Sequence, residues 1–392
     1  MNKVSNQSLG KARDAKQDEF YTQLGDISNE VKHYKTQLHG KTIFCNCDDP
    51  YESNFFKYFA LNFKSLGLKK LIATSYKGSP IIGTQLILSE IDGAEAEIEG
   101  AEEREKPDRE KSISKEPYAI EIKEILDYNQ DGAIDLNDVT HLIEHDANTR
   151  RKLNGDGIYG AGDFRSRECV ELLKQSDIVV TNPPFSLFRE YVTQLVEHDK
   201  QFLIIGNKNA ITYREIFLLM QQNKLRTGYR NINSDMWFEV PDGAVYEKID
   251  NGKKVKHIMA TWLTNLAVEK HSEMMTLYKQ YTPAEYPKFD NYDAINVDKV
   301  ADIPVDYFGV MGVPITFIDK YSPEQFEIVG SDYDVKEGLL PDIINPNWAG
   351  KLDRGYVNSQ RMYSRLLIKH KAYHGNNAQA IHGQRSLRRL CL

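Results

Sequence analysis

Short apolar runs alternate with amphipathic segments along the first two-thirds of the chain. The runs have the length of buried strands, and they lie at residues 42–46, 70–74, 177–181 and 202–207. Between the first two runs, aromatic and aliphatic residues recur at helical spacing, namely Phe55, Phe56, Phe59, Leu61 and Phe63. A strand, a helix and a strand in this order form a βαβ unit, which predicts a parallel sheet with right-handed crossovers.

Further segments extend this pattern to the rest of the chain. Residues 118–125 alternate between apolar and polar side chains and predict a strand. Residues 236–240 and 256–264 predict two antiparallel strands that close the sheet at its edge. From residue 267 onward the pattern is mixed α+β, with many tyrosines and prolines. The predicted fold class is therefore α/β, a mostly parallel sheet with an antiparallel edge hairpin, followed by a C-terminal α+β region. Helices are predicted at residues 15–39, 54–66, 167–175 and 187–197.

Charge is distributed unevenly along the 392 residues, whose formal net charge is −7. Residues 90–150 hold 19 acidic and 7 basic side chains, a net charge of −12, so the remainder carries −7 + 12 = +5. Within this part, residues 92–115 show no hydrophobic periodicity and predict a mobile loop or a solvated helix. Residues 351–392 carry nine Lys or Arg and one Asp. This distribution favours a polyanionic partner for the body and the C-terminal end, and a solvated basic tail is the alternative.

The cysteines and the hydropathy indicate a cytoplasmic protein. Four cysteines, at positions 45, 47, 169 and 391, are too few and too irregularly spaced for a disulfide framework. Cys45 and Cys47 lie in an apolar run without a second pair at zinc spacing, which favours buried thiols over a metal site. We find no apolar stretch of membrane-spanning length and no signal-peptide core near the first residue.

A twelve-residue segment at 127–138 matches a calcium-binding loop of the EF-hand or dockerin type. Gly132 lies at the position of the sharp turn, and an apolar helix follows the loop. The last ligand position holds an Asp, whose side chain is shorter than the usual Glu. The alternative is a metal-free turn rich in Asp and Asn. The candidate calcium ligands are Asp127, Asn129, Asp131, Asp135 and Asp138.

The apolar run at 177–181 ends in Asn182-Pro183-Pro184-Phe185. The two prolines fix the backbone and remove two N–H donors, which predicts a rigid corner where a buried strand ends. An amide oxygen, a backbone carbonyl and an aromatic face can together hold the amino group of a base extruded from a duplex. The four residues resemble the catalytic motif of amino-methyltransferases that use S-adenosylmethionine, and the form NPPF indicates adenine N6. The alternative is a proline-rich turn between a strand and a helix.

Carboxylates follow other predicted strands of the same sheet. Asp48, Asp49 and Pro50 follow the run at 42–46, and Asp163 and Phe164 precede the predicted helix at 167–175. Ligands of open α/β sheets bind at the carboxyl ends of the strands. Asp48 and Asp49 suit the cationic methionyl end of S-adenosylmethionine, whereas Asp163 suits its adenine amine and Phe164 its ring. The alternative is that each Asp caps a helix.

Four stretches in a fixed order, DEFYTQL, CNCDDPYESNF, GDF and NPPFSLFREY, make the chain similar to the EcoRI-type family of adenine-specific DNA methyltransferases. The resemblance covers most of the chain. It implies a Rossmann-like catalytic domain, S-adenosylmethionine as methyl donor and a C-terminal target-recognition region. The first stretch implies cofactor contacts for Phe20, Tyr21 and Thr22. The glycines that follow Asp-Pro in such enzymes are absent, and Ser53 and Asn54 stand in their place.

The resemblance also implies a division of the chain and a set of partners. Residues 1–91 and 151–266 are expected to form the methyltransferase core, interrupted by the acidic insertion at 92–150 and followed by target recognition at 267–392. Basic and polar residues at 351–371 are expected to contact the DNA backbone. Double-stranded DNA is the expected partner, together with a restriction endonuclease acting on the same site, and the chain is expected to be a monomer or a weak dimer.

Two other classes of function compete with DNA adenine methylation. The amino group could belong to another acceptor, namely cytosine N4, an RNA adenine or a protein glutamine. Alternatively, the chain could be a calcium-binding module on an inactive methyltransferase scaffold. The intact Asn182-Pro183-Pro184-Phe185 motif argues against the second alternative.

Overall fold

The computed structural model of the chain describes residues 21–47, 49–50, 53–75, 117–145, 150–240 and 245–371. Several expectations above therefore lie outside the described residues. These are the predicted loop at 92–115, the roles of Phe20 and Asp48, the start of the predicted helix at 15–20 and the basic C-terminal segment from 372 to 392. Within the described ranges, no helix is long and apolar enough to cross a membrane.

Eighteen strands and eight α-helices lie in the described residues. The strands are β1 Tyr21–Thr22, β2 Thr42–Cys45, β3 Lys70–Thr74, β4 Tyr118–Ile122, β5 Arg150–Lys152, β6 Ile178–Thr181, β7 Gln201–Asn207, β8 Arg226–Thr227, β9 Met236–Glu239, β10 Lys248–Asp250, β11 Lys253–Ile258, β12 Ala260–Thr264, β13 Ile295–Asn296, β14 Met311–Pro314, β15 Phe326–Ser331, β16 Tyr356–Val357, β17 Gln360–Arg361 and β18 Arg365–His370. The helices are α1 Leu24–Val31, α2 Lys35–Leu38, α3 Asn54–Leu61, α4 Leu136–His145, α5 Arg167–Gln175, α6 Phe188–Glu197, α7 Arg214–Gln221 and α8 Asp332–Lys336.

The largest sheet is mixed, with the strand order β5-β4-β3-β2-β6-β7-β12-β8. Its centre, β3-β2-β6-β7, is parallel, while β4 and β12 run antiparallel to their neighbours β3 and β7. From β2 the chain continues to β3 on one side, and from β6 it continues to β7 on the other. The order therefore reverses between β2 and β6, and the loops that leave these two strands diverge to form a crevice.

Apolar faces hold three helices to this sheet. Helix α3 contacts β3, α5 contacts β2 and α6 contacts β7. Each helix buries aromatic or aliphatic side chains, for example Phe56 and Phe59 of α3 and Tyr191 of α6, which are fully buried. Burying one such side chain contributes about 1.5–3 kcal/mol. The chain is a mixed α/β protein whose large sheet combines parallel and antiparallel strands.

The predicted edge hairpin at 236–240 and 256–264 forms only in part. Residues 236–238 and 256–258 do pair antiparallel, but this pair does not lie at the edge of the large sheet. Strand β9 pairs with β11 in a separate four-stranded sheet of order β1-β9-β11-β10, whereas β12 joins the large sheet beside β7. The chain changes sheets at the exposed Met259. The physical reason is burial, since β12 is buried along its whole length and β11 carries Lys and His side chains that stay partly exposed.

The predicted helix at 15–39 is also wrong at one point. Tyr21 and Thr22 form strand β1, which pairs with Glu239 and Phe238 of β9, and helix α1 begins only at Leu24. Strand pairing with a segment more than 200 positions away overrides the local helical pattern, because a short segment takes its conformation from the partners available to it.

The described chain divides into two compact units. The first comprises residues 21–216, 227–230 and 234–266, and the second comprises residues 217–226, 231–233 and 267–371. The second unit contains a sheet of order β13-β14-β18-β15. Its core includes Phe289, Tyr292 and Leu367. Tyr292 Oη donates a hydrogen bond of 2.7 Å to the buried carboxylate of Asp332, and burial raises the pKa of both groups.

Candidate active site

The carboxyl ends of β2, β3 and β6 meet at Asn46, the residue that follows β2. Thr181, the last residue of β6, donates its hydroxyl hydrogen to the Asn46 carbonyl. Thr74, the last residue of β3, donates to Asn46 Oδ1 over 3.2 Å. Asn46 and both threonines are buried. The ends of β2, β3 and β6 are therefore connected through Asn46 at the point where the strand order reverses.

The NPPF corner begins directly after Thr181. Asn182 and Phe185 are half-buried, and Pro183 is buried. Pro184 accepts a hydrogen bond of 3.0 Å from the N–H of Leu187, which starts a 3-10 turn leading into α6. The corner is thus a turn between a strand and a helix, as predicted, and it lies next to the cluster at Asn46.

The segment Tyr21–Thr22 lies beside the start of α3. Asn54 Nδ2 donates to the Thr22 carbonyl over 2.8 Å. The N–H of Ser53 donates to the Asp49 carbonyl over 2.7 Å. These two bonds bring together Tyr21, Thr22, Asp49 and Pro50, which the sequence assigned to cofactor binding in two separate stretches.

Serine side chains cap the two helices that follow the predicted carboxylate loops. Ser53 Oγ accepts hydrogen bonds from the N–H groups of Phe55 and Phe56 at the start of α3. Ser166 Oγ accepts one from the N–H of Cys169 at the start of α5. Helix capping, the alternative role for the carboxylates of Asp49 and Asp163, is therefore performed by these serines.

The carboxylate of Asp163 faces Arg165. Asp163 Oδ1 accepts hydrogen bonds of 2.9 Å from both the backbone N–H and Nε of Arg165, and Oδ2 accepts one of 2.7 Å from Nη2. The hydrogen bonds that Arg165 donates to the Asp163 carboxylate raise the pKa of Arg165 further above its ordinary value. Phe164 is buried and packs edge-to-face on Tyr191 at a centroid distance of 4.9 Å. In the described part of the chain, no hydrogen bond joins Asp163 or Phe164 to the cluster at Asn46.

Two buried polar atoms near the crevice fit a bound polar ligand. Among the described residues, Thr22 Oγ1 and Asn46 Nδ2 have no hydrogen-bond partner, although Thr22 and Asn46 are 3% and 1% exposed. Buried polar groups are almost always paired, so such atoms call for a partner. S-adenosylmethionine offers a carboxylate, an amine and ribose hydroxyls, so this donor set fits it. Sequence reasoning missed Asn46, whose signal is an asparagine directly after an apolar strand.

In the candidate calcium loop, the carboxylate oxygens accept hydrogen bonds from backbone N–H groups of the same loop. Asp127 accepts hydrogen bonds from the N–H groups of Asp131 and Gly132, and Asp138 accepts them from those of Tyr128, Asn129 and Asp135. Burial would raise the pKa of Asp138, but these backbone donors outweigh it and lower the pKa. Gly132 has a φ of +92°, as the sharp turn requires. Among the described residues, no three His, Cys, Asp or Glu side chains converge as metal ligands.

Comparison with known proteins places these features in a family. The family model described as adenine-specific methyltransferase EcoRI matches residues 8–371. The chain is 41% identical over 378 residues to the Type II methyltransferase M.EcoRI of Escherichia coli, covering 94% of this chain and 98% of that protein. It is 37% identical to M.MgeORF184P of Mycoplasma genitalium, covering 92% and 98%, and 34% identical to M.MpnI of Mycoplasma pneumoniae, covering 93% and 98%. No solved structure matches the chain at a significant level.

Proposed function

The chain belongs to the EcoRI family of adenine-specific methyltransferases, and on that premise we propose that it methylates N6 of an adenine held outside the DNA duplex. It is a DNA adenine methyltransferase, and its family implies the use of S-adenosylmethionine. The observation that supports the location of the reaction is the cluster at Asn46, which gathers the ends of β2, β3 and β6 at the reversal of strand order.

The proposed catalytic residues are Asn182, Pro183, Pro184 and Phe185. Adenine N6 is a weak nucleophile because its lone pair is delocalised into the ring. Asn182 Oδ1 and the Pro183 carbonyl accept the two N6 hydrogens, which favours a pyramidal nitrogen with a localised lone pair. Pro184 stiffens the corner, so these acceptors are oriented before the base arrives. Phe185 stacks on the extruded base and offsets part of the cost of unstacking it, about a few kcal/mol.

The proposed cofactor residues lie on the loops around this corner. Bound S-adenosylmethionine supplies an electrophilic methyl group on a sulfonium sulfur. Asp49 offers a carboxylate to the methionyl ammonium. Thr22 Oγ1 and Asn46 Nδ2, which are buried, form hydrogen bonds with polar groups of the same ligand. Asp163, oriented by Arg165, accepts from the adenine amine, since each carboxylate oxygen can accept more than one hydrogen bond. Tyr21, Pro50 and Phe164 supply apolar surface for this ligand.

The finer architecture and the partners are part of the same proposal. We assign the first unit a Rossmann-like methyltransferase fold and residues 267–392 the recognition of the target sequence. The substrate is double-stranded DNA, and a cognate restriction endonuclease acts on the same site. The loop at 127–138 binds calcium, for which its oxygen donors are the right type. Binding then requires that these oxygens exchange backbone N–H partners for the ion.

The experiment follows the methyl group. The full-length protein is incubated with tritium-labelled S-adenosylmethionine and unmethylated duplex DNA, and the nucleosides are then separated. Label in N6-methyldeoxyadenosine supports the proposal. Label in N4-methylcytosine, or incorporation only into RNA or protein, would reject the adenine assignment.

A further inference from the structure

The second unit contains a polar cleft of about 400 Å³ that the catalytic proposal does not use. All of its nine lining residues belong to this unit, and seven of them are polar. Small-molecule pockets are predominantly apolar, whereas interfaces with nucleic acid are polar and hydrated. The residues that carry the argument are Asn231, Asn233, Asp298, Lys299, Asp319 and Lys320.

A buried carboxylate fixes one wall of the cleft. Asp319 accepts a hydrogen bond of 2.7 Å from Lys270 Nζ and one of 3.3 Å from the backbone N–H of Ile232. Asn231 Oδ1 accepts a hydrogen bond of 2.8 Å from the N–H of Asn233. The turn at 231–233 is therefore held in place, and it presents two exposed asparagines. Because Oδ1 of Asn231 is engaged in the turn, its Nδ2 group is left to donate.

The cleft lining also contains an oriented carboxylate. Asp298 Oδ1 accepts a hydrogen bond of 2.8 Å from Asn296 Nδ2 and lies 3.5 Å from Nη2 of Arg365. The Asp298 side chain is nevertheless 74% exposed, so its other oxygen faces solvent. An oriented carboxylate and two exposed asparagines in the same lining provide both acceptors and donors in one cleft.

Exposed lysines complete the site. Lys299 and Lys320 are exposed, and they make no ion pair with any described residue. Each lining carboxylate already faces a cation, since Asp319 pairs with Lys270 and Asp298 lies 3.5 Å from Nη2 of Arg365. Lys299 and Lys320 therefore remain to attract a polyanion.

We propose that this cleft reads base edges of the recognition sequence, with Asn231, Asn233 and Asp298 as specificity-determining residues and Lys299 and Lys320 as phosphate contacts. Asn231 Nδ2 can donate to N7 of a purine, Asn233 can pair with both N6 and N7 of adenine, and Asp298 can accept from N4 of cytosine. The inference rests on the proposed function, because it requires duplex DNA as substrate. The ligand class is the major-groove edge of a base pair together with its flanking phosphates.

The first test measures discrimination. Unmethylated genomic DNA is first exposed to the wild-type protein, and sequencing of the modified bases then defines the recognition site. The value of kcat/KM is next measured on duplexes that carry this site or single-base changes in it. Asn231→Ala or Asn233→Ala is expected to reduce discrimination at one position by about 5- to 150-fold in kcat/KM. Calorimetric affinity for S-adenosylmethionine should stay unchanged. Asn347→Ala, an exposed asparagine of the same unit outside the cleft, serves as the matched control.

The second test needs no turnover. Lys299→Ala and Lys320→Ala are each expected to weaken the binding of all duplexes alike. Each should also make the negative slope of log affinity against log salt shallower by about one. Lys336→Ala is the matched control, since this lysine is exposed and lies outside the cleft. Wild-type discrimination in both asparagine variants, or unchanged slopes in both lysine variants, overturns the proposal. A wild-type protein that binds DNA with the expected slopes but methylates no adenine rejects the proposed function alone.

Discussion

Replacing Asn182 with alanine removes one of the two acceptors that the catalytic proposal aims at adenine N6. Asn182 follows the buried end of β6 and is itself only half-buried. Its Oδ1 atom is buried, so the truncation should cost the fold about 1 kcal/mol, as a typical single substitution does. The loss in the reaction should be larger, because one preorganised polar partner of a transition state contributes about 2.7–4 kcal/mol, or 10²–10³ in rate.

The assay is a single-turnover methyl transfer to a duplex that contains the recognition site, with thermal unfolding measured in parallel. A rate that falls at least 10²-fold while S-adenosylmethionine affinity and melting temperature change little supports the assignment. Asn182→Asp keeps an acceptor at the same position and should retain more of the rate than Asn182→Ala. A variant Asn182→Ala with near-normal turnover would falsify the catalytic role of the corner, whatever the affinity for the cofactor.

Three further outcomes follow from single contacts. Thr181→Val leaves the buried carbonyl of Asn46 without its donor and should lower stability by about 1–3 kcal/mol, seen in thermal unfolding; an unchanged melting temperature speaks against this contact. Asn54→Ala releases the Thr22 carbonyl and should weaken S-adenosylmethionine binding about 2- to 10-fold by calorimetry, and equal affinity would contradict the proposed cofactor site. Titration with millimolar calcium should release or absorb heat with the wild type and not with Asp138→Asn; no heat with the wild type would reject calcium binding by the loop at 127–138.

Two elements were predicted with their observed bounds, whereas the helix predicted at 54–66 ends at Leu61 and the strand predicted at 118–125 ends at Ile122. Strand β3 at 70–74 and helix α5 at 167–175 agree residue for residue with the sequence prediction. The first is centred on the apolar residues Leu71, Ile72 and Ala73, and the second begins after Ser166, whose side chain caps the helix. In both, local preference and burial point to the same structure.

Features that depend on distant partners could not be derived in this way. The single strand predicted at 256–264 is divided between β11 and β12, and only the pairing partners β9 and β7 decide which sheet each part joins. The two-residue strand Tyr21–Thr22 likewise exists only through β9. Of the candidate site, the position of the NPPF corner at a strand end was predictable, because parallel strands share one carboxyl edge. The hydrogen bonds that converge on Asn46 were not, because they join three separate strands.

The structure decides between two roles that the sequence left open for Asp49 and Asp163, helix capping and ligand binding. An Asp shortly before a helix is most often its cap, and on that ground Asp49 and Asp163 carried little information about function. Ser53 and Ser166 perform the capping instead. Asp163 is further held in a bidentate ion pair with Arg165, which fixes the direction of its carboxylate. A carboxylate that is oriented by a cation and not engaged in capping is suited to receiving a ligand amine. Loss of Arg165 should therefore act through the position of Asp163 and leave the cap of α5 intact.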